Sequence, residues 1–98
     1  MKIAIPHHTT KEAARKKLQS LSERLLREHG ERLENVDQQW NGDQLLVNFK
    51  ARGFNVKGTV DVTDSEIILD GKLPLIAKPF ESRIKSTIER EAKSVFPA

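Results

Sequence analysis

Three histidines, His7, His8 and His29, and the carboxylates Asp37, Asp61 and Asp70 are the side chains of this chain best suited to chemistry. His7 and His8 are adjacent, so an extended backbone points them apart and they cannot clamp one metal ion. No carboxylate stands at a ligand spacing such as His-Glu-x-x-His. The expectation is a solvent-exposed pair after the first strand, with no metal site. Nucleophilic catalysis lacks a Gly-x-Ser-x-Gly elbow, and the five glycines, at 30, 42, 53, 58 and 71, are too scattered for a phosphate loop. Carboxylates on a water-facing strand face have nothing to raise their pKa for acid catalysis. The residues therefore argue for a protein that is not an enzyme, with no catalytic residue and no cofactor.

Two other groups could bind. Lys57 and Lys72, with Lys50 and Arg52 near one end, form a candidate patch for an anion or nucleic acid, although no aromatic side chain joins them as a stacking platform. Lys11, Arg15, Lys16, Lys17, Arg24 and Arg27 read as solubilising charges spread over several faces of a helix. The segment Leu75-Ile76-Ala77, with Leu46 and Ile68, is the candidate for an exposed apolar patch.

The elements that position these residues follow from spacing. Ile3 and Ile5 alternate in a short strand closed by Pro6. Thr9-x-x-Glu12 reads as a capping box opening a helix whose apolar stripe is Ala14, Leu18, Leu21 and Leu25, with Gly30 as a left-handed stop.

Two-residue turns at Asn41-Gly42, Arg52-Gly53 and Asp64-Ser65 then pair four strands. Gln38 falls opposite Leu45, Ala51 opposite Phe54, and Val62 opposite Ile67. These registers put Val36, Trp40, Leu45, Val47, Phe49, Phe54, Val56, Val60, Val62, Ile67, Leu69 and Leu73 on one face. A slip by one residue would scatter that set. A last helix from Pro79 shows Phe80, Ile84, Ile88, Ala92 and Val95 to the sheet, and Pro97 stops it. The fold is α+β, β-α-β-β-β-β-α, an antiparallel meander with both helices on one face.

The same registers align Val36, Val47, Gly58 and Gly71 in one row. Missing side-chain volume there is filled by a helix or by a bulky residue such as Trp40 or Phe80, or else leaves a small apolar pocket under the last helix.

Length and composition agree with one domain, residues 1–98, that is globular: 37% hydrophobic, 32% charged, net charge +3 and no cysteine. No apolar run approaches the ~20 residues of a membrane span, and the N-terminus lacks a signal-peptide core. The chain reads as cytoplasmic, and an edge strand of the meander could pair with a second copy.

Ile3-x-Ile5-Pro6-His7, Glu12-Ala13-Ala14-Arg15, Trp40-x-Gly42-Asp43, Gly58-Thr59-Val60-x-Val62, and Leu73-Pro74-Leu75-Ile76 followed by Pro79-Phe80 and Arg83-Ile84 are spread over nearly the whole chain. In this order and spacing they resemble the polyhydroxyalkanoic acid system protein family. These are small bacterial proteins associated with storage-polyester metabolism and, for some members, its granules.

The resemblance implies an accessory role, and the residues supply its candidate sites. On this reading Leu75, Ile76 and Phe80, with an apolar cleft at Gly58, Gly71 and Trp40, contact the polymer surface, a granule protein or an apolar hydroxyacyl ligand. A helix-grip-like holder of such a ligand is one version of it. The alternative is a small basic RNA- or ribosome-associated module using Lys57 and Lys72.

Overall fold

A computed structural model describes residues 1–96. Strand β1 (Lys2–Pro6) leads to helix α1 (Lys11–His29), a 3-10 turn (Gly30–Arg32), β2 (Leu33–Asn41), β3 (Gln44–Ala51), β4 (Phe54–Val62) and β5 (Glu66–Lys72). A second 3-10 segment (Leu75–Phe80) precedes helix α2 (Glu81–Val95). The five strands form one antiparallel sheet in the order β1-β5-β4-β3-β2. The α+β order read from the sequence is the observed one. Pro97, expected to stop α2, lies outside the described residues.

The two inner hairpins have the registers that their turns dictate. Arg52 and Gly53 both take positive φ, 51° and 82°, and Ala51 pairs with Phe54 and Val47 with Gly58. Val62 pairs with Ile67 and Gly58 with Gly71. β1 completes the sheet beside β5, with Ile3 opposite Leu69.

β2 departs from expectation twice. The turn residues are Gly42 and Asp43, since Asn41 still pairs with Gln44, so Trp40 lies opposite Leu45 and Gln38 opposite Val47. Only Gly42, at φ 62°, needs the left-handed region there. Because the slip is of two residues, Trp40 keeps the inward face. The second departure is a register irregularity between Glu34 and Asp37, where Asn35 has φ 53°. It acts as a bulge, placing Leu33 opposite Ala51 and Glu34 opposite Lys50. Val36 therefore leaves the apolar face and is 36% exposed.

Helix α1 is capped one residue later than the capping box predicts: Thr10 Oγ1 accepts from the Ala13 amide at 3.1 Å. Gly30 is not left-handed. With φ −59° it continues into the 3-10 turn instead. Ala14, Leu18 and Leu21 are buried and Leu25 half-buried. They help close a core of Ala14, Leu18, Leu45, Val60, Val62, Ile67 and Phe96. A second cluster, Ile3, Ile5 and Ala92, lies between β1 and α2, with Met1 and Ile88 against it.

Met1 answers the question of the glycine row. A Cβ on Gly71 would stand 3.3 Å from Met1 Cε, and Met1 and Gly71 exchange backbone hydrogen bonds of 2.9 and 2.8 Å. Neither Trp40 nor Phe80 fills that space. Trp40 Nε1 donates to Gln19 Oε1 at 2.7 Å while the Arg15 guanidinium sits 4.5 Å from its ring centroid. Phe80, expected to face the sheet, is 57% exposed.

His7 is the other correction. It is 2% exposed rather than solvated. Strand alternation carries Ile3, Ile5 and His7 to the same inward side, and the ring is satisfied there: Nε2 donates to the Thr63 carbonyl at 2.8 Å and Nδ1 accepts from the Thr9 amide at 3.2 Å. His8, at φ 52°, is exposed.

Candidate functional site: an exposed apolar turn before the last helix

Leu73-Pro74-Leu75-Ile76-Ala77-Lys78-Pro79-Phe80 cannot run straight into an α-helix. The residue before Pro79 is biased away from helical geometry, and Pro79 has no amide to donate. The chain instead forms a 3-10 segment. Pro74 enters it extended, at φ −60° and ψ 153°, and its carbonyl accepts from the Ala77 amide at 2.9 Å. The first regular turn of α2 is thereby delayed to Glu81.

The turn is tied down by its small residue and shows its large ones. Ala77 is buried, whereas Leu75 is 81%, Ile76 67% and Phe80 57% exposed. A globular chain ordinarily scatters such residues singly; here three of six consecutive residues are large, apolar and exposed.

The surrounding strands extend this apolar character. β5 ends with Lys72 opposite Lys57, the residue that follows Val56 on β4. Val56 itself lies opposite Phe49, and Phe54 opposite Ala51. Phe49, Phe54 and Val56 are only half-buried and stand outside both clusters of buried residues. One end of the sheet thus gathers apolar side chains that the two helices leave partly uncovered. The opposite end, around Lys11, Asp43 and Asp64, is polar and held by ion pairs of 3.2 and 3.8 Å.

The remaining predicted site residues are not brought to this turn. Gly71 is covered by Met1, Gly58 lies against the backbone of β5, and Trp40 is an anchor for α1. Met1 takes the space of the glycine row at Gly71, while Gly58 is one of the residues that line a groove on the sheet. This shallow groove of about 510 Å³ opens on the other face of the sheet, where Lys57 and Lys72 share the walls with Asp37, Asp70 and Leu46. Lys50 lies across from Glu34, and Arg52 sits in its turn. Three of the four cations predicted as an anion patch, Lys50, Lys57 and Lys72, thus stand among carboxylates.

Among the described residues no group of three or more His, Asp or Glu side chains could hold a metal ion, and no helix is long and apolar enough to cross a membrane. A feature missed in the sequence is that Lys16, Lys17, Arg24 and Arg27 line a single groove along α1. Of the other two helix cations, Lys11 pairs with Asp43 and Arg15 stacks on Trp40.

A protein-family model described as "Putative polyhydroxyalkanoic acid system protein" matches residues 1–96. No curated protein and no solved structure matches the chain.

Proposed function

The chain belongs to the polyhydroxyalkanoic acid system protein family, and on that footing we propose that it is a non-enzymatic accessory protein that holds to the surface of storage-polyester granules. The contact is the turn Leu75–Phe80. The observation that supports it is the exposure of Leu75, Ile76 and Phe80 on one short segment anchored by buried Ala77.

A polyester surface presents esters and short alkyl branches, with few hydrogen-bond donors. Aliphatic and aromatic side chains can bury against it without stranding polar groups. Burying three such side chains contributes roughly 1.5–3 kcal/mol each, from which the loss of translational and rotational freedom must be subtracted. The account is thus of reversible attachment by one end of a small rigid body.

Lys78, within the turn, and Arg83, just after it, are exposed. Their alkyl stems can lie along the surface while the charged heads stay in water.

Fractionation of polyester-accumulating cells carrying the tagged protein tests the reading. The protein is expected in the granule fraction after a high-salt wash, because apolar contact is not screened by salt. Its recovery only in the supernatant would contradict the proposal.

A further inference from the structure

Helix α1 carries a second surface, independent of the apolar turn. Positions 16, 20, 24 and 27 follow one another at spacings of four, four and three, so Lys16, Ser20, Arg24 and Arg27 form one stripe. Lys17 stands beside it. The stripe walls a groove of about 400 Å³ whose aliphatic floor is Leu21 of α1 and Val95 of α2.

Two of its cations are held in place rather than freely solvated. Arg24 Nη2 lies 3.2 Å from Glu91 Oε2 across the helix pair. Lys17 Nζ lies 5.7 Å from the Phe96 ring centroid and 3.5 Å from the Val95 carbonyl oxygen. Lys16 reaches only the exposed Glu12, at 3.6 Å. Four cations face the groove, and Glu12 and Glu91 are the carboxylates paired with them, so the groove keeps a surplus of positive charge.

We propose that this groove docks an acidic amphipathic helix of a partner protein. Charge complementarity selects the sign. The floor selects the class: Leu21 and Val95 offer a helix a narrow apolar seam. A nucleic-acid strand would want an aromatic face to stack on, and Phe96, the aromatic ring nearest the groove cations, is buried under Lys17. Length fits as well. Lys16 and Arg27 are eleven positions apart, which at 1.5 Å per residue is about 16 Å, or three helical turns.

The groove reaches Val95 at the C-terminal end of α2, while Phe80 directly precedes its N-terminal end. Fifteen residues of helix put about 22 Å between them. Both surfaces can therefore be occupied together.

Fluorescence anisotropy with a labelled synthetic helix of about four turns, bearing Glu at i, i+4 and i+7 beside a Leu stripe, tests the inference. The controls are a scrambled peptide of the same composition and an oligouridylate RNA, with sedimentation of the unlabelled protein. The patterned helix is expected to bind at least about tenfold more tightly than the scrambled peptide, and Lys16→Glu/Arg27→Glu to cost at least about tenfold. These exposed charge reversals should leave the melting temperature unchanged, which is checked in parallel. Equal binding of both peptides would overturn the inference. So would tighter binding of the RNA with loss on charge reversal, or self-association abolished by the same variant, which would name a second copy as the occupant.

Discussion

The imidazole Nε2 of His7 and the carbonyl oxygen of Thr63 lie 2.8 Å apart in the interior, tying the end of β1 to the β4–β5 turn. With Nδ1 accepting from Thr9, both ring nitrogens are spent on the backbone, and the ring is a structural fastener. His7→Ala leaves the Thr63 carbonyl short of a partner and opens a cavity. It is expected to lower stability by about 2–4 kcal/mol, measured by urea unfolding. His8→Gly, at an exposed positive-φ position, is expected to change it by less than about 1 kcal/mol.

Gly58 and Gly71 face each other across β4 and β5 but answer differently to a side chain. A Cβ at Gly58 meets the Asp70 carbonyl oxygen at 3.5 Å and the Gly71 Cα at 3.7 Å, both ordinary contacts. Gly58→Ala is expected to hold or raise stability, by up to about 1 kcal/mol, through reduced freedom of the unfolded chain. At Gly71 the neighbour is Met1 Cε at 3.3 Å. Gly71→Val must displace that side chain from its cluster and is expected to cost about 1–3 kcal/mol. Thermal unfolding of the two variants separates these cases.

The exposed turn allows binding to be separated from folding. Leu75→Ser and Ile76→Ser remove side chains that touch little else, and each is expected to alter stability by less than about 0.5 kcal/mol. Ala77→Asp puts a charge at the turn's buried anchor and is expected to destabilise by more than about 2 kcal/mol. Equal destabilisation by Leu75→Ser would place Leu75 in the core instead.

Trp40 offers a spectroscopic check on the α1–β2 contact, being the chain's single tryptophan. Gln19→Leu removes the acceptor of its indole N–H. It is expected to cost about 1–2 kcal/mol and to shift the emission maximum without loss of the folded far-UV spectrum.

How much of this was legible in the sequence depended on whether a local rule had a rival. Arg52-Gly53 set its register because both residues sit where a two-residue hairpin needs positive φ. Asn41-Gly42 misled because Gly42-Asp43 meets the same steric need with glycine alone, one residue along, which moves each strand partner by two. Alternation could not show the bulge at Asn35, since an asparagine tolerates the left-handed region without advertising it.

His7 continued the inward pattern of Ile3 and Ile5, but its polarity hid it until Thr63 and Thr9 were seen to satisfy both nitrogens. Met1 belongs to no periodic pattern, so its place over Gly71 was invisible. Leu75 and Ile76 were marked as an apolar segment outside the sheet faces, and the structure exposes both. Phe80 reads from the sequence both as part of the sheet-facing helical stripe and as a surface contact with Leu75 and Ile76; the helix starts one residue after it, and Phe80 is exposed. The basic groove needed only the four-four-three spacing of Lys16, Ser20, Arg24 and Arg27, but part of its floor, Val95, comes from a different helix.

The central claim is that Leu75, Ile76 and Phe80 make apolar contact with storage polyester. The most direct measurement is binding of the purified protein to protein-free polyhydroxybutyrate particles at low and high salt, beside the Leu75→Ser/Ile76→Ser variant. The account predicts salt-resistant binding by the wild type and at least about tenfold weaker binding by the folded variant. Equal binding by both proteins, or binding by the wild type that disappears at high salt, would contradict it.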